Sequence, residues 1–299
     1  MGFYNRIKQR IKYDLGITKL EEENKSLLFL FNNCIDITKL PKTKDPDLRI
    51  LQKCDTVLLA IFEKICEKHN LKYWLSFGSL LGAYRHQGFI PWDDDLDVCM
   101  LREEVEQIYP ILKNDLESLG FTVKRFNIYP IRGIVLSYKR DMVGVWLDVF
   151  SVHTFYSDKD ANTIKDDIMS YRERLWKSDL WNYKDILKQR ETYLSLATEG
   201  LNKYYAPEIE TWNGNRAVVL STPNVIFPLS KIEFEDYSFL APNNVEEYLT
   251  KCYGPNYMQF PRIAYNSHGS FDCVSKRAKN NGINMDEVYH YLLDILKKV

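Results

Sequence analysis

The stretch "GFIPWDDDLDVCM", residues 88–100, sets four aspartates within five positions and then runs straight into apolar residues. Like charges that close repel one another, and withdrawing them from water costs more still. Whatever this chain folds into must hold those carboxylates beside a buried segment. Side chains alternate along a strand, so Asp95 and Asp97 face one way while Leu96 and Val98 face the other. The pattern predicts a strand with an anionic face anchored by apolar residues beneath it. One or two divalent cations would relieve the repulsion, and an oxygen-only ligand set favours Mg²⁺ or Mn²⁺. A solvated acidic turn capped by Asp93 and Asp94 is the alternative. It leaves the direct continuation into "VCM" unexplained.

Two further elements belong with the acidic strand. Gly78-Ser79 follows the apolar run "KYWLSF" and precedes a short helical pattern, "SLLGAYRH". Glycine permits close backbone approach, and the amides at a helix N-terminus can hold a phosphate. Later, "VWLDVF" places Asp148 among apolar neighbours, where a carboxylate needs a partner and a shared metal would serve. A bond to backbone amides at a strand end is the other reading of Asp148. Strand, Gly-Ser, helix, then acidic–apolar–acidic–apolar on a neighbouring strand resembles the signature of the nucleotidyltransferase superfamily.

The rest of the chain sets the frame. Its 299 residues, 45% hydrophobic and 14% aromatic, suit a folded protein with a substantial core. With 40 basic and 41 acidic residues it shows no global sign of a nucleic-acid binder. Residues 1–45 form a basic, amphipathic N-terminal segment ending near "KLPKTKDPDL"; within residues 1–19, Arg6, Lys8, Arg10, Lys12 and Lys19 stand against Asp14. Phe3, Ile7, Ile11 and Leu15 recur there at helical spacing. Such a helix suits peripheral contact with an anionic membrane or a partner, and equally a first helix docked on its own domain. No apolar run approaches the roughly 20 residues that span a bilayer, and no signal-peptide core is visible. Cys34, Cys54, Cys66, Cys99, Cys252 and Cys273 lack metal-ligand spacing and read as reduced core residues of a cytoplasmic protein.

Helical periodicity from Ile50 to His69, strands at 72–77, 95–100, 121–126, 133–140 and 143–152, and a helix over 102–120 give an α/β (α+β) fold. We expect one catalytic domain over 46–299, a mixed sheet with flanking helices and a helical lobe at about 158–206.

"YWLSFGSLLGAYRHQGFIPWDDDLDVCM" (73–100) resembles the signature of the LicD family of phosphotransferases, which includes the fukutin-type proteins. "GVWLDVF" resembles the family's later Asp strand, and "FEDYSFLAPNNVEEYLTKCYGPNYMQFP" (234–261) its C-terminal segment. The resemblance implies metal-dependent transfer of a phospho-alcohol, typically phosphocholine from CDP-choline, onto a sugar of a cell-surface glycan such as lipopolysaccharide, teichoic acid or capsule. A CDP-activated alcohol is then the donor, a glycan or lipid-linked sugar the acceptor, and CMP the leaving product. By position, Asp95, Asp97 and Asp148 would hold Mg²⁺ or Mn²⁺ and carry the chemistry. Gly78 and Ser79 would meet the donor's phosphates. Asp93 and Asp94 would fix the loop behind them.

Arg85 would pair with phosphate, or else form a salt bridge to one of Asp93 to Asp95. Among Trp176, Trp181, Tyr183, Tyr193, Tyr204, Tyr205 and Trp212, one or more could cage a quaternary ammonium, although core packing explains any single one. Two rivals stand beside the main reading. One is a nucleotidyltransferase with an NTP donor, and the other is a silent glycan-binding or assembly protein on the same fold. A lipid-linked acceptor would place the chain at the inner face of the membrane.

Overall fold

The computed structural model describes residues 12–13, 16–125, 133–177, 185, 188, 202–207, 209, 218–261 and 276–299. α1 (Ile17–Cys34) buries none of its residues, and Leu20, Leu27, Phe29 and Leu30 are exposed. Its C-terminal end rests on Phe260, whose ring meets Phe31 and whose N–H donates to Asn32 Oδ1. Arg6, Lys8 and Arg10 lie outside the described residues, so the helix expected over 1–19 is met only where α1 begins.

α2 (Pro46–Lys68) starts where the sequence asks it to: Asp45 accepts the amides of Asp47 and Leu48, and Pro46 takes the first helical position. Leu51, Cys54, Leu58, Ile61, Phe62 and Ile65 are buried along one side. β1 (Tyr73–Leu75), α3 (Phe77–His86), β2 (Leu96–Leu101) and α4 (Arg102–Leu116) follow. Glu103 and Glu104 occupy the first turn of α4, the favourable end for acids, and Gly120 in the left-handed region closes the turn after it. β3 (Phe121–Arg125) and β4 (Gly133–Tyr138) lead through the short α5 (Arg140–Val143) into β5 (Val145–Ser157).

β5 is longer than its apolar run suggests, and two cores explain why. Its first half, Val145 to Val152, belongs to the main core shared with α2, α3, α4 and β1–β4. Its second half passes Phe155 into a smaller core with Ile164, Ile168, Tyr171 and Leu175 of α6 (Ala161–Lys177) and Tyr204 of β6 (Asn202–Pro207). Residues 202–207 are therefore a strand, not the end of a helical lobe; they pair antiparallel with Val152–Ser157. Tyr204 and Tyr205 are buried packing residues, Tyr204 stacked on Phe155. Trp181, Tyr183, Tyr193, Trp212 and the Trp176 side chain lie outside the described residues.

The sheet runs β1-β2-β5-β4-β3, with β6 on the far half of β5. Among the described pairs β2 and β5 run parallel; the others are antiparallel. This is the α+β architecture the pattern predicts. α7 (Pro223–Ile226) precedes the hairpin β7 (Ser230–Phe234) and β8 (Tyr237–Ala241), which packs beside β1. α8 (Val245–Tyr253) lies against α3. α9 (Arg277–Asn280) and α10 (Met285–Leu296) close the described chain, α10 lying along α2. Cys54, Cys66 and Cys99 are buried as expected. Cys34 is not, because it ends α1, none of whose residues is buried, and Cys273 lies outside the described residues.

Candidate active site

In the parallel ladder Asp97 is the register partner of Asp148, between Leu96–Leu147 and Val98–Val149. Register partners on parallel strands point to the same face, so the alternation that buries Leu96 and Val98 on one side lifts both aspartates to the other. Asp95, two residues earlier, shares that face. One carboxylate oxygen from each of Asp95, Asp97 and Asp148 lies within 4.8 Å of the others. Asp93, Asp94 and Asp95 form a second such trio, so the two sets share Asp95. Oxygen-only donors at this spacing fit a hard divalent cation.

The start of α3 holds Asp97 in place. Ser76 N–H donates to the Asp97 carbonyl at 3.1 Å, and Asp97 N–H donates to Ser79 Oγ at 2.7 Å. Ser79 is buried, so its hydroxyl positions the acidic strand, while the first-turn amides around it keep no intrahelical acceptor. Between these residues Phe77 adopts φ +44°, a left-handed conformation unusual for an aromatic residue, with its ring edge-on to Phe150. Gly78 sits in the first helical turn rather than before the helix. A Cβ there would stand 2.8 Å from Asp93 Oδ2, so the absent side chain is the space the Asp93 carboxyl occupies.

The electrostatics follow from this crowding. Burial pushes the Asp93 carboxyl well above the ordinary carboxylate range, and the charges of Asp95 and Asp94 push it further. By surface area Asp93 is half-buried and Asp94 is buried, at 1% exposure. Arg85 is a buried cation on α3: Nη1 donates to the Tyr257 carbonyl at 3.1 Å and Nε to His86 Nε2 at 2.9 Å. Burial lowers its pKa to about 10, against the opposing pull of Tyr253 and Asp93. Burial and the Arg85 charge lower His86 to about 4, which keeps the ring a neutral acceptor for Arg85.

Three contributors escape a reading of the sequence. Asp55 of α2 is wholly buried and accepts the Trp146 N–H at 3.1 Å, two residues before Asp148; burial raises its pKa strongly. Gln52, one turn earlier, donates to the Asp93 carbonyl at 2.9 Å. A carboxylate and an amide within a helix whose neighbours are apolar were the available signal. The third, Tyr253 at the end of α8, is 45% exposed, and the charges of Asp97, Asp93 and Asp95 raise its pKa. Its Tyr-Gly setting marks a helix end and nothing more.

A mixed sheet whose central parallel strands lift three aspartates onto one face thus lies beside a strand–turn–helix that carries Gly78 and Ser79. Residues 70–186 match the family model described as LicD/FKTN/FKRP, nucleotidyltransferase domain. The C-terminal resemblance at 234–261 falls outside the matched segment.

Relatives agree. The lipopolysaccharide cholinephosphotransferase LicD of Haemophilus influenzae is 34% identical over 89 residues, 30% of this chain and 31% of that protein. The uncharacterized protein RP689 of Rickettsia prowazekii is 40% identical over 90 residues, 30% of each chain. Human ribitol 5-phosphate transferase FKRP is 25% identical over 198 residues, 66% of this chain and 30% of that protein. The matches thus span less than a third of the length of each of these relatives.

Proposed function

We propose that this chain is a metal-dependent phosphotransferase that moves a phospho-alcohol from a CDP-activated donor, CDP-choline first among them, onto a sugar of a cell-surface glycan and releases CMP. One observation carries the reading: Asp97 and Asp148 stand in register on adjacent parallel strands, with Asp95 beside them, all within 4.8 Å. The match of residues 70–186 to the LicD/FKTN/FKRP family model supports it, as do relatives named for cholinephosphate and ribitol 5-phosphate transfer.

The residues take the following roles. Asp95, Asp97 and Asp148 would hold Mg²⁺ or Mn²⁺, which when bound screens the donor's pyrophosphate and the charge on the leaving oxygen. A sugar hydroxyl attacks the phosphorus that bears the alcohol. A new O–P bond forms, the P–O bond to CMP breaks with its electron pair, and Asp148 takes the hydroxyl proton. Gly78 and the Ser79 main chain meet the donor's phosphates at the start of α3. Arg85 supplies a cation to the same phosphates, and Asp93 and Asp94 fix the loop behind the trio.

The experiment is a thermal-shift screen of CDP-choline, CDP-ribitol, CDP-glycerol, CTP and UTP, each with and without Mg²⁺, followed by product analysis. A ligand at a hundred times its Kd stabilises by about 2.7 kcal/mol, enough to read. Mg²⁺-dependent stabilisation by a CDP-alcohol, with CMP as product, is the expected result. Stabilisation by CTP with pyrophosphate released would replace the reading with nucleotidyl transfer. No helix among the described residues is long and apolar enough to cross a membrane. Residues 1–19 are proposed as a peripheral contact with the cytoplasmic face. Their deletion should lower co-sedimentation with anionic vesicles; unchanged partitioning would remove that role.

A further inference from the structure

α2 lies outside the segment that matches the family, yet two of its polar side chains reach the walls of the acidic cup and a third bonds to one of them. Arg49, Gln52 and Asp55 recur at a spacing of three, which sets them on one side of the helix. Arg49 forms a two-pronged pair with Glu235 at 3.0 and 2.6 Å and also donates to Gln52 Oε1 at 3.3 Å. Gln52 donates to the Asp93 carbonyl at 2.9 Å, and Asp55 Oδ1 accepts the Trp146 amide at 3.1 Å. Gln52 and Asp55 are 1% and 0% exposed, a costly placement for an amide and a carboxyl unless their bonds matter.

The location of those bonds is informative. The β2–β5 ladder begins at Leu96–Leu147. Asp93 to Asp95 and Trp146 lie beyond its end, where no strand pairing holds the two walls of the cup together. Gln52 fastens one wall and Asp55 the other, both from a single helix. A helix rises about 1.5 Å per residue, so three residues fix a short, stiff span. Repulsion among Asp93, Asp94, Asp95, Asp97 and Asp148 works against that span whenever the charge is uncompensated.

We propose that Gln52 and Asp55 are positioning residues that set the separation of the acidic loop and β5, and thereby the divalent-cation affinity of the cup. This rests on the reading of Asp95, Asp97 and Asp148 as a cation site. Neither residue touches the ion; each acts through a backbone group of the wall it holds.

The test is Mn²⁺ titration followed by electron paramagnetic resonance of the free ion, with thermal unfolding of each variant measured in parallel. The unmodified chain and Asp97→Ala come first: binding by the former and its loss in the latter support the cation site. Absence of Mn²⁺ binding in the unmodified chain would overturn that reading and this proposal with it. Given binding, Gln52→Leu and Asp55→Leu should each weaken it by about tenfold or more, the usual cost of losing an outer contact that orients a metal ligand. Asp55→Asn, which keeps an acceptor oxygen for Trp146, should weaken it far less. Leu58→Ala, a buried apolar truncation on the same helix, should lower the unfolding temperature and leave Mn²⁺ affinity near that of the unmodified chain. Unchanged affinity in both leucine variants, or an equal loss in Leu58→Ala, would overturn the proposal. Should Asp55→Leu fail to fold, Gln52→Leu carries the test alone.

Discussion

Glu235 and Asp93 are both carboxylates withdrawn from water, and their proton affinities are displaced in opposite directions. Glu235 sits at the β7–β8 turn in a left-handed conformation, φ +54°, with its side chain 4% exposed. Burial alone would raise its pKa, but hydrogen bonds and charge from Arg49 and Lys42 outweigh that and hold it below 4.5. For Asp93, burial and the charges of Asp95 and Asp94 prevail, and its pKa rises. The first is a joint, tying the hairpin to α2 and to the Phe89 amide. The second belongs to the acidic cup proposed as a cation site. Breaking the joint should cost stability, and changing the cup should cost binding and turnover.

The sharpest contrast comes from the cup. Asp148→Asn removes the proposed proton acceptor and one cation ligand, so CMP release from a CDP-alcohol should fall by about 10²–10⁴-fold. Its unfolding temperature should hold or rise, because one of several repelling charges is gone. Near-normal turnover would deny Asp148 its role. The same logic inverted applies to Glu235→Ala, which leaves Arg49 and Lys42 without their partner. Arg49 is 21% and Lys42 54% exposed, so water recovers part of the loss; about 2 kcal/mol of stability should disappear in urea unfolding. Mn²⁺ affinity should move little by comparison. A variant that lost binding before stability would erase the distinction between the two regions.

Much of the cup was legible in the sequence, because strand alternation and an aspartate among Trp146, Leu147, Val149 and Phe150 are local facts. The register that puts Asp97 opposite Asp148 is a long-range fact, and only the fold supplies it. Asp55 and Gln52 escaped for a related reason: polar residues beside an apolar stripe read as a solvated face until their partners across the core are known. β6 escaped because its partner, the far end of β5, lies about 50 residues earlier and beyond the expected strand end. Gly78 was legible as a site of close approach. The neighbour that requires it is the Asp93 carboxyl, whether or not a phosphate also comes near.

Gly78→Ala tests that neighbour with a smaller effect. Alanine favours the helix by up to about 1 kcal/mol, so folding should not suffer, while its methyl group must displace the Asp93 carboxyl. Mn²⁺ binding should weaken severalfold with the unfolding temperature unchanged or raised. Unaltered binding would mean that Asp93 can move without consequence for the cup.

The smallest expected effect is on pH dependence, and its sign follows from Glu235. Its folded pKa lies below the ordinary 4.5, so the folded state binds fewer protons than the unfolded state as pH falls through that region. The stabilisation is therefore complete above the unfolded pKa and is lost as pH drops through the folded one. Glu235→Gln has no such titration. The stability difference between the unmodified chain and this variant, measured by urea unfolding, should stay level from about pH 7 down to about pH 5 and then shrink. A difference that grew on acidification would mean that the carboxyl is stabilised in its protonated form, as crowding does to Asp93. The two regions would then share one electrostatic logic instead of opposing ones.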